Sequence, residues 1–177
     1  VGGKFDFTSQ ISSNHEIKTG FSFRNDNLVE RNLTVLYDQN FDEPTVLSEN
    51  KSPYHIFYDK DAVQYSAYIQ DKMEYSSMIM NLGIRYDAFV PNDSTIANLL
   101  YPEADQKEAK TKTMVSPRIG VSLPITDKGI FHFSYGHFYQ MPTLRNLYRE
   151  SYFGAGLAPT VGNPDLKPEK TVLYEFG

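Results

Sequence analysis

The chain has 177 residues, the length of about one domain or a little more. Its 17 Lys and Arg against 22 Asp and Glu give a net charge of −5, the wrong sign for a nucleic-acid footprint. It has no Cys, which removes disulfide frameworks, thiolate metal sites and cysteine nucleophiles together. A mean hydropathy of −0.46 reads as soluble, yet 13 Tyr and 12 Phe make 14% of the chain aromatic, with no Trp. No apolar run exceeds three residues, so a membrane-spanning helix of about 20 is excluded. A membrane β-barrel is not, because its strands alternate and average to a polar hydropathy.

The dominant period is two, the signature of strands. Phe5 and Phe7 oppose Lys4, Asp6 and Thr8. Ile17, Thr19, Phe21 and Phe23 oppose Glu16, Lys18, Gly20, Ser22 and Arg24. Val63, Tyr65, Ala67, Ile69, Met73 and Tyr75 oppose Gln64, Ser66, Gln70, Lys72 and Glu74, with Asp71 interrupting the apolar face. Met78, Met80, Leu82, Ile84, Tyr86 and Ala88 oppose Asn81, Gly83, Arg85 and Asp87. Val115, Pro117, Ile119, Val121 and Leu123 oppose Ser116, Arg118, Gly120 and Ser122. Phe131, Phe133, Tyr135 and Tyr139 oppose His132, Ser134, Gly136 and Gln140. Val172, Tyr174 and Phe176 oppose Thr171, Leu173 and Glu175. Seven strands result, and helical spacing fits none of these segments better.

Connections alternate short and long. Gln10 to Asn14, Tyr75 to Ser77 and Ile125 to Gly129 read as tight turns. Roughly Asn25 to Asp61, Val90 to Lys112 and Met141 to Lys170 read as long loops, all at the opposite end. Loops beyond about 15 residues are uncommon in compact domains. An outer-membrane barrel has this asymmetry, with short periplasmic turns and long extracellular loops. Tyr65, Tyr75, Tyr86 and Tyr139 fall near strand ends, where an interfacial girdle belongs. The expectation is an all-β, antiparallel, up-and-down transmembrane β-barrel segment of about seven strands, incomplete at both ends. Val1 opens directly into the alternating pattern, with no signal-peptide pattern after it, so the chain reads as a piece of something longer.

Several segments carry a resemblance. Asn163-Pro164-Asp165-Leu166-Lys167-Pro168-Glu169-Lys170-Thr171, followed by Tyr174-Glu175 and Gly177, resembles the most recognisable barrel segment of TonB-dependent outer-membrane receptors, particularly the Bacteroidetes type. Its two prolines hold a returning loop extended before pairing resumes. Phe138 to Leu144 with Leu147-Tyr148, Ser116 to Gly120, Gly83 to Asp87 and Tyr68 to Asp71 are similar to other strands of that family, in its order. The resemblance implies a partial receptor barrel over residues 1–177, within a larger molecule that has a signal peptide, a TonB box, a lumenal plug and 22 strands. At about 25 residues per strand and connection, such a barrel needs roughly 550 residues. It further implies a Gram-negative outer-membrane location and uptake of a bulky scarce solute such as a siderophore, cobalamin or an oligosaccharide. The implied partners are outer-membrane lipid, a TonB-type energy-coupling complex acting through the plug, the transported small molecule or oligosaccharide, and a surface lipoprotein.

The candidate chemistry is sparse, and neither an enzyme nor a cofactor site is expected. His132 and His137 lie at an odd offset on one strand, so they face opposite ways and cannot share an ion. Asp38, Asp42, Glu43, Asp59 and Asp61 lack the spacing of a calcium loop and read as solvated charge. Arg145, Tyr148, Arg149 and Tyr152 are candidate ligand contacts in the third long loop, against the alternative that they pack the loop on its neighbours. Arg85 and Arg118 are lumen-facing and either line a transport path or bridge to a plug. Two other functions share the pattern: a passive porin-like barrel, and a soluble all-β binding module.

Overall fold

The computed structural model describes residues 1–33, 55–96, 106–126, 128–151 and 160–177. Seven long strands form one antiparallel sheet: β1 (Gly2–Ser12), β2 (His15–Leu33), β3 (His55–Tyr75), β4 (Met78–Val90), β7 (Lys112–Thr126), β8 (Gly129–Gln140) and β11 (Glu169–Phe176). Their order is β1-β2-β3-β4-β7-β8-β11, each strand beside its predecessor in the up-and-down manner. The sheet is not closed, and β1 and β11 are its two edges. The long connections hold two small ribbons, β5 (Ser94–Ile96) with β6 (Gln106–Glu108) and β9 (Glu150–Ser151) with β10 (Thr160–Val161). One short helix, α1 (Leu144–Tyr148), precedes β9. Five residues are too few to leave a helical period in the sequence.

Register carries the alternation across the whole sheet. Phe5 faces Phe21, Phe21 faces Ala67, Ala67 faces Tyr86, and Tyr86 faces Val115. Ile119 continues to Tyr135 and Tyr135 to Tyr174. Successive residues of a strand point to opposite faces, so the apolar sets of all seven strands share one surface. That surface is exposed, with Phe5, Phe21, Ile69, Ile84 and Tyr174 each at least half bare. An apolar patch of this extent is not a water-facing one. Tyr75 and Tyr65 lie on it ten residues apart on β3. At about 3.3 Å per residue and a tilt of about 40°, they bracket a band ~25 Å tall, the height of an outer-membrane hydrocarbon belt.

Strands β2 and β3 run further than the alternation indicated. They stay paired without a slip from His15↔Met73 to Leu33↔His55. The expected loop from Asn25 to Asp61 is therefore shortened at both ends. Above Arg24 the sequence turns polar on both faces, which hides the period. Side-chain bonds replace apolar contacts there: Asn27 Nδ2 donates to Asp59 Oδ1 (2.6 Å) and to Asp61 Oδ1 (3.1 Å).

The interruption at Asp71 also has a cause. His15 lies on the same apolar face, one step along the β2–β3 ladder. Its Nδ1 is 2.8 Å from Asp71 Oδ2, and the Tyr75 ring meets it edge-on at 6.3 Å. A carboxylate near the belt's lower edge is thus paired with an imidazole beside an interfacial tyrosine.

The dry core lies on the other face. Ala62, Phe89, Met114, Leu147 and Tyr148 are buried together at the end of the sheet that carries the long connections. Below them the face is polar and lined with small residues. At Gly20 an added Cβ would collide with the Tyr68 ring and lie 2.9 Å from the Phe5 carbonyl. The missing side chain lets Tyr68 cross from β3 and donate its hydroxyl to Asp6 Oδ1 on β1 (2.8 Å).

The exposed apolar band and the two bare edges set the solution behaviour of these 177 residues. They should aggregate in plain buffer and give a β-rich circular dichroism spectrum only in detergent or lipid. A monomer with a cooperative melt in detergent-free buffer would contradict the lipid-facing assignment.

Candidate functional site

The polar face forms a trough of about 1070 Å³. Ser22, Ser66 and Ser116 make its floor, with Ser22 Oγ and Ser66 Oγ 2.5 Å apart. Arg24, Gln64, Arg85 and Arg118 rise from it, and Met141 to Leu144 close its outer end. A smaller cavity of about 230 Å³ lies further along, between Gln70, Asn81, Ser134 and Leu173. Arg118 and Phe138 line both cavities, so this pair stands between them.

Most charge on this face is neutralised within single strands. Lys4 pairs with Asp6, Lys18 with Glu16, Arg24 with Asp26, Lys72 with Glu74 and Arg85 with Asp87. Each pair spans two residues, the spacing that puts two side chains on one face of a strand. Arg85 holds Asp87 through Nε and Nη2 at 2.7–3.0 Å, the bidentate geometry that suits a guanidinium. Arg118 differs. Two residues from it stand Ser116 and Gly120, and its guanidinium carbon lies 5.0 Å from the centre of the Phe138 ring. That cation–π contact is worth about 0.5–1 kcal/mol at an exposed site.

The described start of the third long connection, Met141 to Leu144, lines the trough. Thr143 enters α1 in an extended conformation without a side-chain cap. Leu147 is fully buried and Tyr148 nearly so, against Ala62, Phe89 and Met114. The Tyr148 hydroxyl donates to the Pro91 carbonyl at 2.6 Å. Burial, and then the Asp93 and Asp61 carboxylates, push this phenol well above its ordinary range. Gly162 passes against the helix end, where a Cβ would meet the Leu147 carbonyl and the Arg149 nitrogen.

The Asn163 to Glu169 segment is a tie. Asn163 Oδ1 accepts the Asp165 N–H (2.9 Å), and Asn163 N–H donates to Asn146 O (3.1 Å). Pro164 is buried, and Leu166 N–H closes a turn on Asn163 O (3.1 Å). Asp165 Oδ1 receives the Lys112 ammonium and the Lys110 N–H (3.1 Å), fastening the segment to the start of β7. The Lys112 bond, and then the Lys110 one, hold the Asp165 carboxyl below its usual range. Lys167 and Glu169 are exposed, and Pro168 is half-buried before β11 begins.

The sequence-derived candidates thus separate. Arg85 and Arg118 share the trough wall. Arg145 is exposed beside Leu144, Arg149 is half-buried, and Tyr148 is buried beneath them. Tyr152 lies outside the described residues, as do Asp38, Asp42 and Glu43. His132 and His137 face opposite ways: His132 Nδ1 is 2.9 Å from Ser122 Oγ, and His137 Nε2 is 2.6 Å from the Tyr135 hydroxyl. Among the described residues no three His, Asp or Glu converge as a metal site. Sequence reasoning missed Ser116, Phe138 and the anchoring partner Lys112. A cation lacking an acid two residues away was the signal available for Arg118.

One comparison decides the family: the model of the TonB dependent receptor-like β-barrel matches residues 1–177. The chain belongs to that family. No curated protein and no solved structure matches it. Family membership makes this a wall of a Gram-negative outer-membrane receptor and transporter that works with TonB-type coupling, in a family of receptors rather than enzymes. In an outer-membrane barrel an apolar face meets lipid and a polar face meets the interior.

Two substitutions test the anchoring of this receptor's third loop. Tyr148→Phe strands the Pro91 carbonyl and should cost about 1–2 kcal/mol. Faster hydrogen exchange over residues 144–149, with the strands unchanged, is the expected result. Asp165 has a lowered folded value, so its tie is intact above the ordinary carboxylate value and is lost as pH falls through the lowered one. Melting temperature in detergent should therefore fall with acid below about pH 4 in the wild type. Asp165→Asn should start lower at pH 7 and show a flatter acid limb.

Proposed function

We propose that this barrel wall serves energy-coupled uptake of a bulky, scarce solute across the outer membrane, in a receptor of the Bacteroidetes type. The likeness of Asn163 to Thr171 to that group's barrel segment supports the assignment of type. One observation carries the functional reading. A single sheet presents lipid with an apolar face, interrupted at the Asp71–His15 pair, and presents water with a polar trough of about 1070 Å³, at the end where the long connections lie. A cavity of this size suits a siderophore, cobalamin or a short oligosaccharide.

The barrel performs no covalent chemistry in this reading. Its paired strands supply a wall with no unsatisfied backbone toward lipid. Arg145, Arg149 and Tyr152 make first contact with the solute, and Tyr148 holds their loop. Exposure of Arg145 beside Leu144, which lines the trough, supports that role. Arg85 and Arg118 line the path beneath. A plug from elsewhere in the molecule gates the lumen and receives the pull of the coupling complex, and a surface lipoprotein assists capture.

Uptake in cells carrying the full-length gene tests the reading. Labelled ferric siderophore, cobalamin and oligosaccharide are offered, with and without the energy-coupling protein. Accumulation of one of them that falls to background without coupling is expected. Accumulation indifferent to coupling would instead identify a passive porin.

A further inference from the structure

Eight cations point into the lumen from the described strands: Lys4, Lys18, Arg24, Lys60, Lys72, Arg85, Lys112 and Arg118. Seven have a carboxylate partner. Five are the pairs within one strand, Lys60 holds Asp93 at 3.0 Å, and Lys112 holds Asp165. Arg118 is the eighth, and no carboxylate among the described residues lies within ion-pair distance of it. The Phe138 ring covers Gly136, where an added Cβ would lie 3.0 Å from it, while Gly120 is open to 3.7 Å. Across the ladder it faces Gly83 on β4 and Gly136 on β8, and along its own strand its neighbours are Ser116 and Gly120. Ser116, two residues back on the same face, is 3% exposed. Phe138 lies under the guanidinium and holds it at the junction of the two lumenal cavities.

A guanidinium set over an aromatic ring, flanked by glycines and without a carboxylate partner among the described residues, is suited to receive an oxyanion. We propose that Arg118, set on the Phe138 ring, forms an anion-binding site on the lumenal wall, taking a carboxylate or phosphate group of the transported solute. The inference rests on the uptake reading and narrows it to anionic solutes. An aromatic or otherwise planar anion fits best, because the ring edge and guanidinium together offer a flat surface. Position between the cavities makes Arg118 a relay: an anionic group received from the outer cavity can pass to the amides of Gln70 and Asn81 in the inner one.

The site can be removed in two independent ways. Arg118→Gln deletes the charge. Gly120→Asp leaves Arg118 in place and supplies the carboxylate two residues away that the other strands already have; a Cβ there meets nothing closer than 3.7 Å. The full-length receptor in detergent is titrated calorimetrically with benzene-1,3,5-tricarboxylate, with uncharged maltotetraose and with a tetraglutamate peptide. The tricarboxylate should bind in a salt-sensitive way, and each substitution should weaken it about ten-fold or more. Equal affinity in wild type and both variants would overturn the proposal, as would absence of tricarboxylate binding. Maltotetraose binding alone would overturn the anion site while leaving the uptake reading intact. Binding of tetraglutamate but not tricarboxylate would mark Arg118 as a contact for polypeptide, and would also overturn it.

Discussion

Everything in this wall depends on the backbone ladder. In hydrocarbon no water can satisfy a peptide N–H or carbonyl, so each must find its partner on the next strand. The nineteen-residue β2 strand meets β3 without a slip, and β3 meets β4 over the full length of β4. Irregularities fall at the tight turns, between Gln10 and Ser12 and between Pro124 and Thr126. Once the ladder is fixed, the pleat leaves only the choice of which residues meet which solvent. A shift of one residue would turn Phe21, Ile69 and Ile84 into the lumen and Arg85 into lipid.

A single sheet between two solvents inverts the usual relation of burial to hydrophobicity. The large apolar side chains are the bare ones, and the buried cluster sits on the watery face. That cluster exists because α1 brings Leu147 and Tyr148 back onto Ala62, Phe89 and Met114. Its rigidity comes from three ties of different kinds: the Tyr148 hydroxyl on Pro91, the close passage of Gly162, and the charge-assisted bonds of Asp165. The Asn163 to Glu169 segment therefore acts here as a fastening between the helix and the start of β7.

Strands within the lipid belt were legible in the sequence because lipid and lumen impose opposite chemistry on alternate residues. Legibility ended where that contrast ends. Beyond Arg24 both faces of β2 meet water, Asn27 can serve the ladder as well as a valine, and the strand runs on unannounced to Leu33. Tyr148 offered an ambiguous signal, since a tyrosine in a loop suits recognition and packing equally, and only its neighbours in space separate the two. Asp87, two residues from Arg85, was visible in the sequence, whereas the Phe138 ring under Arg118 comes from another strand and was not. Asp71 seemed a flaw in the apolar face until His15, 56 residues away, was found beside it.

Pairing of charge within single strands bears on how such a wall is built. Lys4 with Asp6, Lys18 with Glu16, Arg24 with Asp26, Lys72 with Glu74 and Arg85 with Asp87 need no partner from a distant part of the chain. Each of β1 to β4 carries counter-ions of its own into the bilayer. A hairpin can then enter lipid nearly neutral while its lumenal side chains are still without a lumen. The first two hairpins, β1–β2 and β3–β4, are thereby free to enter one at a time, and Arg118 on β7 is the charge that must wait for its surroundings.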